Sequence, residues 1–263
     1  VKRVDIKDSE KLNGEGLELS PFKIRLAQSA KDRDEAYKLR YQIFNEELGE
    51  GIPENALTKR DTDRFDAHCD HLLVERNGQV VGTYRLMPSS QVNKDLGFYS
   101  ETEYFIKNLP LDFNKSLEMG RACILPEYRK QATLVCLFCG IRHYMNLKGC
   151  HSLFGLASLP IMSHENALAT FEEIKKMGRV LEVNGVDPIP SMRIPSGTKI
   201  GDNPQIPALL SVYFQFGAYI CGEPAYDPVF KCHDVLTILK LDEVGDKTWD
   251  FFDKFIRRRE SAS

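Results

Sequence analysis

Residues 117–130 read LEMGRACILPEYRK. Leu117, Met119, Ala122, Cys123, Ile124 and Leu125 are core-type side chains and read as a strand entering a turn, yet Glu118 and Arg121 stand among them. A charge buried without a partner costs several kcal/mol, so a core strand carrying two of them needs a reason. Three residues apart, they face opposite sides of a regular strand. A glycine inside a strand marks a bulge or a close backbone approach. A bulge near Gly120 would turn both charges toward one cleft.

Outward from this strand, the chain alternates strand and helix patterns. FKIRLAQS (residues 22–29) alternates as a first strand, and DRDEAYKLRYQIFNEELG (32–49) carries Ala36, Leu39, Ile43 and Phe44 at helical spacing. HLLVERNGQVVGTYRL (71–86) is a hairpin about Asn77-Gly78. A long polar insert, residues 88–116, precedes the opening strand. Residues 131–149 form an almost wholly apolar, hence buried, helix. Residues 151–158 read as a strand, 164–178 as an amphipathic helix, 184–207 as a Pro- and Gly-rich loop, 205–218 as a helix, 234–241 as a last strand and 248–259 as a short helix. The order β-α-ββ-β-α-β-α-α-β predicts an α/β (α+β) domain, a mixed sheet with helices on both faces. Residues 1–21 read as a polar, loose arm, and residues 22–263 as one domain.

With 263 residues and 42% hydrophobic composition the chain has enough apolar surface for a real core. Net charge is only −3, but residues 121–148 hold five basic residues and one acid, so this segment is +4 and the remainder −7. Seven cysteines without regular spacing, and a polar start without a leader pattern, predict free thiols and a cytoplasmic setting. No apolar run approaches the ~18 residues that span a bilayer. Cys136 and Cys139 lie one turn apart on a buried helix and read as core thiols. The stretch DAHCDH (66–71) lacks a ligand spacing, so no metal is expected.

The opening puzzle recurs elsewhere. Arg40 points with Ala36, Ile43 and Phe44, the loop DTDRFDAHCD (61–70) carries four aspartates, and Arg85 ends the hairpin. Two readings stay open on these residues alone: a structural ion-pair network, Arg40 with Asp63 or Asp66 and Glu118 with Arg85, or a polar site cut into the core.

RYQIFNEELG, DRFD, HLLV…VVGTYRLMP and LEMGRACILPEYR, in this order, resemble the acyl-homoserine-lactone synthases. Arg40, Phe44, Asp63, Asp66, Arg85, Glu118 and Arg121 match that family's charged and aromatic positions. PALLSVYFQFGAYICGEPAYDPVFKCHDVLTILKLDEV (207–244) is similar to the ornithine-type, hemolysin-like acyl-carrier-protein N-acyltransferases. The lactone synthases carry a Trp after the first helix. Here that region reads GEGIPEN, and Trp249 is the only Trp, which favours the amino-acid-acylating branch.

The resemblance implies a GNAT fold, with a mostly antiparallel mixed sheet whose fourth and fifth strands splay around an acyl thioester. It implies transfer of a long-chain fatty acyl group, with or without a 3-hydroxyl, from acyl carrier protein to the α-amine of an amino acid, first ornithine, giving a lyso-aminolipid. Its rivals are acylation of glycine or another amino acid, lactone synthesis, and a non-catalytic protein that binds acyl carrier protein. The amine must lose a proton before it attacks. Glu118 is the first candidate base, with Asp63 and Asp66 as alternative amine-orienting groups. Arg40, Arg85 and Arg121 are candidates for the acceptor carboxylate, and the Asp-rich loop for an ornithine side-chain ammonium. Phe44, Gly120, Ala122 and Cys123 complete the expected substrate wall, with backbone N–H groups at Gly120–Ala122 for the oxyanion.

Coenzyme-A-dependent relatives cradle the diphosphate on a glycine-rich turn. The equivalent YRKQATLV (128–135) has no glycine. No cofactor is therefore expected beyond the 4′-phosphopantetheine that arrives on acyl carrier protein, held by Arg129 and Lys130. WDFFDKFIRRR (249–259) sets aromatics beside three arginines and allows peripheral membrane contact.

Overall fold

The computed structural model describes residues 9–129, 131–159 and 162–260. Nine strands form one sheet: β1 (Leu17–Leu19), β2 (Phe22–Leu26), β3 (Asp70–Arg76), β4 (Gln79–Pro88), β5 (Ser116–Ile124), β6 (Ser152–Leu159), β7 (Val180–Leu181), β8 (Tyr219–Asp227) and β9 (Cys232–Lys240). Their spatial order is β1-β2-β3-β4-β5-β6-β9-β8-β7. All neighbours are antiparallel except β5 with β6 and β7 with β8. Five helices accompany them: α1 (Ala30–Tyr41), α2 (Gln131–Lys148), α3 (His164–Lys176), α4 (Ala208–Gln215) and α5 (Asp246–Glu260). β4 is buried at every position but Gln79, as a strand covered on both faces must be.

The local signals act as expected at several places. Ser29 caps α1 and forms a reciprocal capping box with Asp32. Asn77 and Gly78 both take positive φ, 51° and 77°, as a two-residue hairpin turn requires. α1 runs on into a π-helical turn, Gln42–Glu47, which carries Phe44.

Two expectations change, and one unassigned stretch is a strand. Residues 9–21 are not a loose arm: Leu12 is fully buried, and β1 pairs with β2 from Leu17↔Ile24 to Leu19↔Phe22. A three-residue strand is too short to show a period. Residues 1–8 lie outside the described residues. The stretch 219–227 is β8, which Gly222-Glu223-Pro224 disguises as a turn. The structure places a bulge there, between Cys221 and Ala225, with Gly222 at φ 76°. A side chain at Gly222 would lie 2.6 Å from the Val186 carbonyl oxygen. The 88–116 insert is a second core: Phe98, Tyr104, Ile106 and Leu109 pack with Val186 and with Leu236 and Ile238 of β9.

Candidate active site

β5 and β6 pair over only three residues, Ser116↔Ser152 to Glu118↔Phe154, and then part. Two local features drive the split. Gly155 sits where a side chain would lie 2.2 Å from the Met119 carbonyl oxygen, so only glycine fits the parting point. On its other edge β5 bulges: Gly120 faces Arg85 and Cys123 faces Thr83, leaving Arg121 and Ala122 together against Tyr84. The bulge is thus one residue beyond Gly120, and its left-handed residue is Arg121, φ 53°. A non-glycine residue there costs about 1 kcal/mol or more, which the contacts of the Arg121 side chain offset.

A cavity of about 460 Å³ fills the opening, within the range of ligand pockets. Its inner end is apolar and aromatic, with Phe138 and Met145 of α2, Leu210 of α4, Leu239 of β9, and Trp249 and Phe252 of α5. Charged side chains line it as well: besides Glu118, and Arg142, which lies over the Trp249 ring and donates to Asp253 (2.7 Å), they fall into two groups.

The first group is balanced. Arg40, fully buried, donates to Asp61 (3.1 Å) and with two nitrogens to Asp66 (2.7 and 3.1 Å). Arg85 donates to Asp63 (2.6 Å) and Asp66 (3.3 Å), and Arg121 to Asp63 (3.1 Å). Three cations thus face three carboxylates. Burial pushes the Asp66 carboxyl up, but Arg40 and Arg85 outweigh it and hold it below the usual range. Arg121 also lies in an aromatic cage, 4.5 Å from the Phe230 ring centre, 5.1 Å from Tyr99 and 5.8 Å from Phe44. Its Nε–H lies 3.5 Å from Asp61 without forming a hydrogen bond.

Glu118 does not pair with Arg85. Its carboxylate accepts the N–H groups of Tyr99 (2.8 Å) and Ser100 (2.7 Å) and the Ser100 hydroxyl (2.6 Å), so it anchors the 3-10 turn Tyr99–Thr102. Burial raises its pKa against those three bonds.

The second group was invisible in the sequence reading. Glu103 from the insert, Asp227 from the end of β8 and Asp234 from β9 all line the cavity and are buried. One ligand atom from each lies within 4.8 Å of the other two. Burial, then Asp234 and Asp227, push Glu103 well above the usual carboxylate range. Glu50, half-buried in the cavity wall, is raised by burial and by Asp234 to about 7. Glu50 and Glu103 lie far from each other and from the β8–β9 hairpin that carries Asp227 and Asp234, and no one of the four stands out among apolar neighbours in its own segment. The polar tint of the insert and the HDV of β9 are the only traces they leave.

Of the residues singled out from sequence, Phe44, Arg85, Glu118, Gly120, Arg121 and Ala122 line the cavity. Arg40, Asp63 and Asp66 stand behind that wall and hold its arginines. Cys123 is a core thiol, packed with the hydrophobic cluster rather than with the cavity. Arg129 pairs with Glu47 of the π turn through two bonds, 2.5 and 2.6 Å. Lys130 lies outside the described residues. Cys136 and Cys139 are fully buried free thiols, and among the described residues the DAHCDH stretch gathers no metal-capable group.

A bulged strand beside a split parallel pair, with a deep cavity between, defines a GNAT-type acyltransferase, and the acetyltransferase (GNAT) domain family matches residues 39–138. The chain belongs to the L-ornithine N(alpha)-acyltransferase family. It is 31% identical over 252 residues to the Rhizobium meliloti (strain 1021) L-ornithine N(alpha)-acyltransferase, covering 89% of this chain and 85% of the relative. It is 32% identical over 258 residues to the Brucella abortus (strain 2308) enzyme of the same name, covering 89% of each. Two solved structures share the fold. The CoA-dependent acyl-homoserine lactone synthase BjaI with SAM and isopentyl-CoA has a TM-score of 0.51 at 15% identity, over 86% of this chain and 83% of that one. FeeM, an N-acyl amino acid synthase from uncultured soil microbes, has a TM-score of 0.50 at 11% identity, over 84% and 91%.

Proposed function

We propose that the protein transfers a long-chain fatty acyl group from acyl carrier protein to the α-amine of ornithine, giving a lyso-aminolipid. The observation that carries this reading is the cavity itself: an apolar end for an acyl chain, a split strand pair for its thioester, and charged side chains for an amino acid. Family membership supports the amino-acid N-acyltransferase class.

The chemistry follows from the walls. The thioester lies in the split, its carbonyl toward the backbone N–H groups that the Arg121–Ala122 bulge frees. One such donor contributes about 3 kcal/mol to stabilising an oxyanion. Arg121, which lines the cavity, receives the acceptor's carboxylate. Glu50 exchanges protons near neutral pH and takes the first proton from the α-ammonium. Glu118, both of whose oxygens are occupied, positions Tyr99 and Ser100. The free amine attacks, the C–N bond forms and the C–S bond breaks. The amine's second proton ends on the departing thiolate.

Two features support a carrier-protein donor: the turn before α2 has no glycine to cradle a diphosphate, and Arg129 stands on the outer surface, 43% exposed at its side chain. A single pantetheine phosphate would displace Glu47 from it. Contact with an anionic membrane belongs to the same reading. Phe251, Arg257 and Arg258 of α5 are exposed, and each basic residue near such a surface contributes about 1 kcal/mol. No helix among the described residues is long and apolar enough to cross a membrane.

The test offers long-chain acyl carrier protein and the matching acyl-CoA, separately, with a mixed amino-acid pool, and identifies products by mass spectrometry. Nα-acylornithine from the carrier thioester is expected. Free fatty acid with no N-acyl product overturns the reading, and efficient use of acyl-CoA overturns the choice of donor.

A further inference from the structure

The cavity carries a charge imbalance that the proposed transfer step does not use. Arg40, Arg85 and Arg121 are matched by Asp61, Asp63 and Asp66. Glu103, Asp227 and Asp234 are left over, and among the described residues no cation forms an ion pair with any of them. Asp227 accepts only the Val229 and Phe230 N–H groups. Asp234 accepts from the Ser158 hydroxyl and the Cys232 thiol. Glu103 is 2% exposed, and its Oε2 has no hydrogen-bond partner. A buried acceptor without a donor costs about 1–3 kcal/mol, more when charged. A fold that brings three such carboxylates to one cavity wall leaves a place for a cation from outside.

We propose that Glu103, Asp227 and Asp234 form the subsite for the side-chain ammonium of a diamino acid acceptor, and that this subsite directs acylation to the α-nitrogen. The proposal rests on the amino-acid N-acyltransferase reading above and adds the acceptor's orientation. An alkylammonium has three donors and no acceptor. With N–H···O distances of about 2.8 Å, it holds tetrahedral acceptors about 4.6 Å apart, and the triad's ligand atoms lie within 4.8 Å of one another.

The orientation follows from what each amine must do. A nucleophilic amine has to be neutral, and three carboxylates around an amine favour its charged form. The triad therefore suits the nitrogen that must not react. An ammonium held there keeps its lone pair in an N–H bond and cannot attack the thioester. The α-amine lies outside the triad's three carboxylates, so its charged form is favoured less and it can shed its proton. Selection of a diamino acid and protection of its second amine are one device.

The experiment compares ornithine with norvaline, which keeps the three-carbon side chain and lacks the amine. The full chain is used with an acyl carrier protein thioester. In the wild type, kcat/KM for ornithine should exceed that for norvaline by at least roughly 100-fold, and the product should be the Nα isomer by fragmentation mass spectrometry. In Glu103→Gln and Asp234→Asn that ratio should collapse toward unity, and Nδ-acylornithine should appear. An equal fall for both acceptors, with the isomer unchanged, overturns the proposal, as does a wild type indifferent to the side-chain amine.

A second arm needs no turnover. Without donor, ornithine should raise the melting temperature more than norvaline does, and the difference should vanish in both variants. If the wild type forms no N-acyl product at all, the transferase reading fails and this arm still decides the subsite. Loss of the ornithine preference on treatment with EDTA, restored by Mg²⁺ or Mn²⁺, would make the triad a metal site and overturn the proposal.

Discussion

The two charged walls of the cavity use the same chemistry to opposite ends. On the wall built by α1, the 61–70 loop and β4–β5, three arginines meet three aspartates with short, well-directed bonds. On the wall built by the insert and β8–β9, three acids meet one another. The first wall is complete as it stands and fixes the place of Arg121. The second is incomplete, and burial raises the pKa of Glu103 and Asp234 rather than lowering it. Buried charge is therefore no single signal. Matched pairs hold their arginines in place, and surplus carboxylates leave room for a cation.

Removing one partner tests the matched wall most severely. Arg40→Met should leave Asp61 and Asp66 buried and unpaired and lower unfolding free energy in urea by about 3–5 kcal/mol. A loss below about 1 kcal/mol would mean that water reaches the pair. Next in size is Glu50, the proposed proton acceptor, whose carboxyl feels Asp234. Wild-type kcat/KM should rise with pH through about 7 as Glu50 loses its proton. Glu50→Gln should cut the rate by about 100-fold at neutral pH and remove that rise. A retained rise in Glu50→Gln would return the role to Glu118.

Glu118→Gln should act mainly on the fold. A Gln amide nitrogen cannot accept the Tyr99 N–H, so stability should drop by about 1–3 kcal/mol, with faster hydrogen exchange at Tyr99 and Ser100. An intact stability with a lost rate would instead make Glu118 the base. The smallest effect concerns pH and stability, and its sign differs between the walls. The depressed Asp66 stabilises the fold above its unfolded pKa of about 3.9, a gain lost as pH falls below that value. The raised Glu103 acts oppositely: stability declines as pH rises from its unfolded pKa of about 4.3 through its folded value. Glu103→Gln should flatten that decline in urea titrations above pH 5, and an unchanged slope would mean that Glu103 is uncharged for another reason.

Much of the matched wall was legible in the chain. Arg40, Asp63, Asp66, Arg85, Glu118 and Arg121 sit in strongly patterned helix and strand segments, where a charge among apolar neighbours stands out. Their partners were less legible. Which aspartate meets which arginine depends on how the 61–70 loop folds back, and Glu118 turned out to hold a turn 19 residues upstream of it. The opposite wall was hardly legible, because Glu103, Asp227 and Asp234 look in sequence like ordinary solvated acids.

By itself the sequence determined the order of most strands and helices, the hairpin at Asn77-Gly78 and the family, and it pointed to a bulge near Gly120. Those properties are set by periodicity, turn chemistry and short motifs, all of which act within a few residues. Only the tertiary structure decided that β5 and β6 part at Gly155, that residues 9–21 belong to the sheet, and that three acids from separate segments share one cavity wall. Burial and charge balance are sums over neighbours in space, and chain order does not carry that sum.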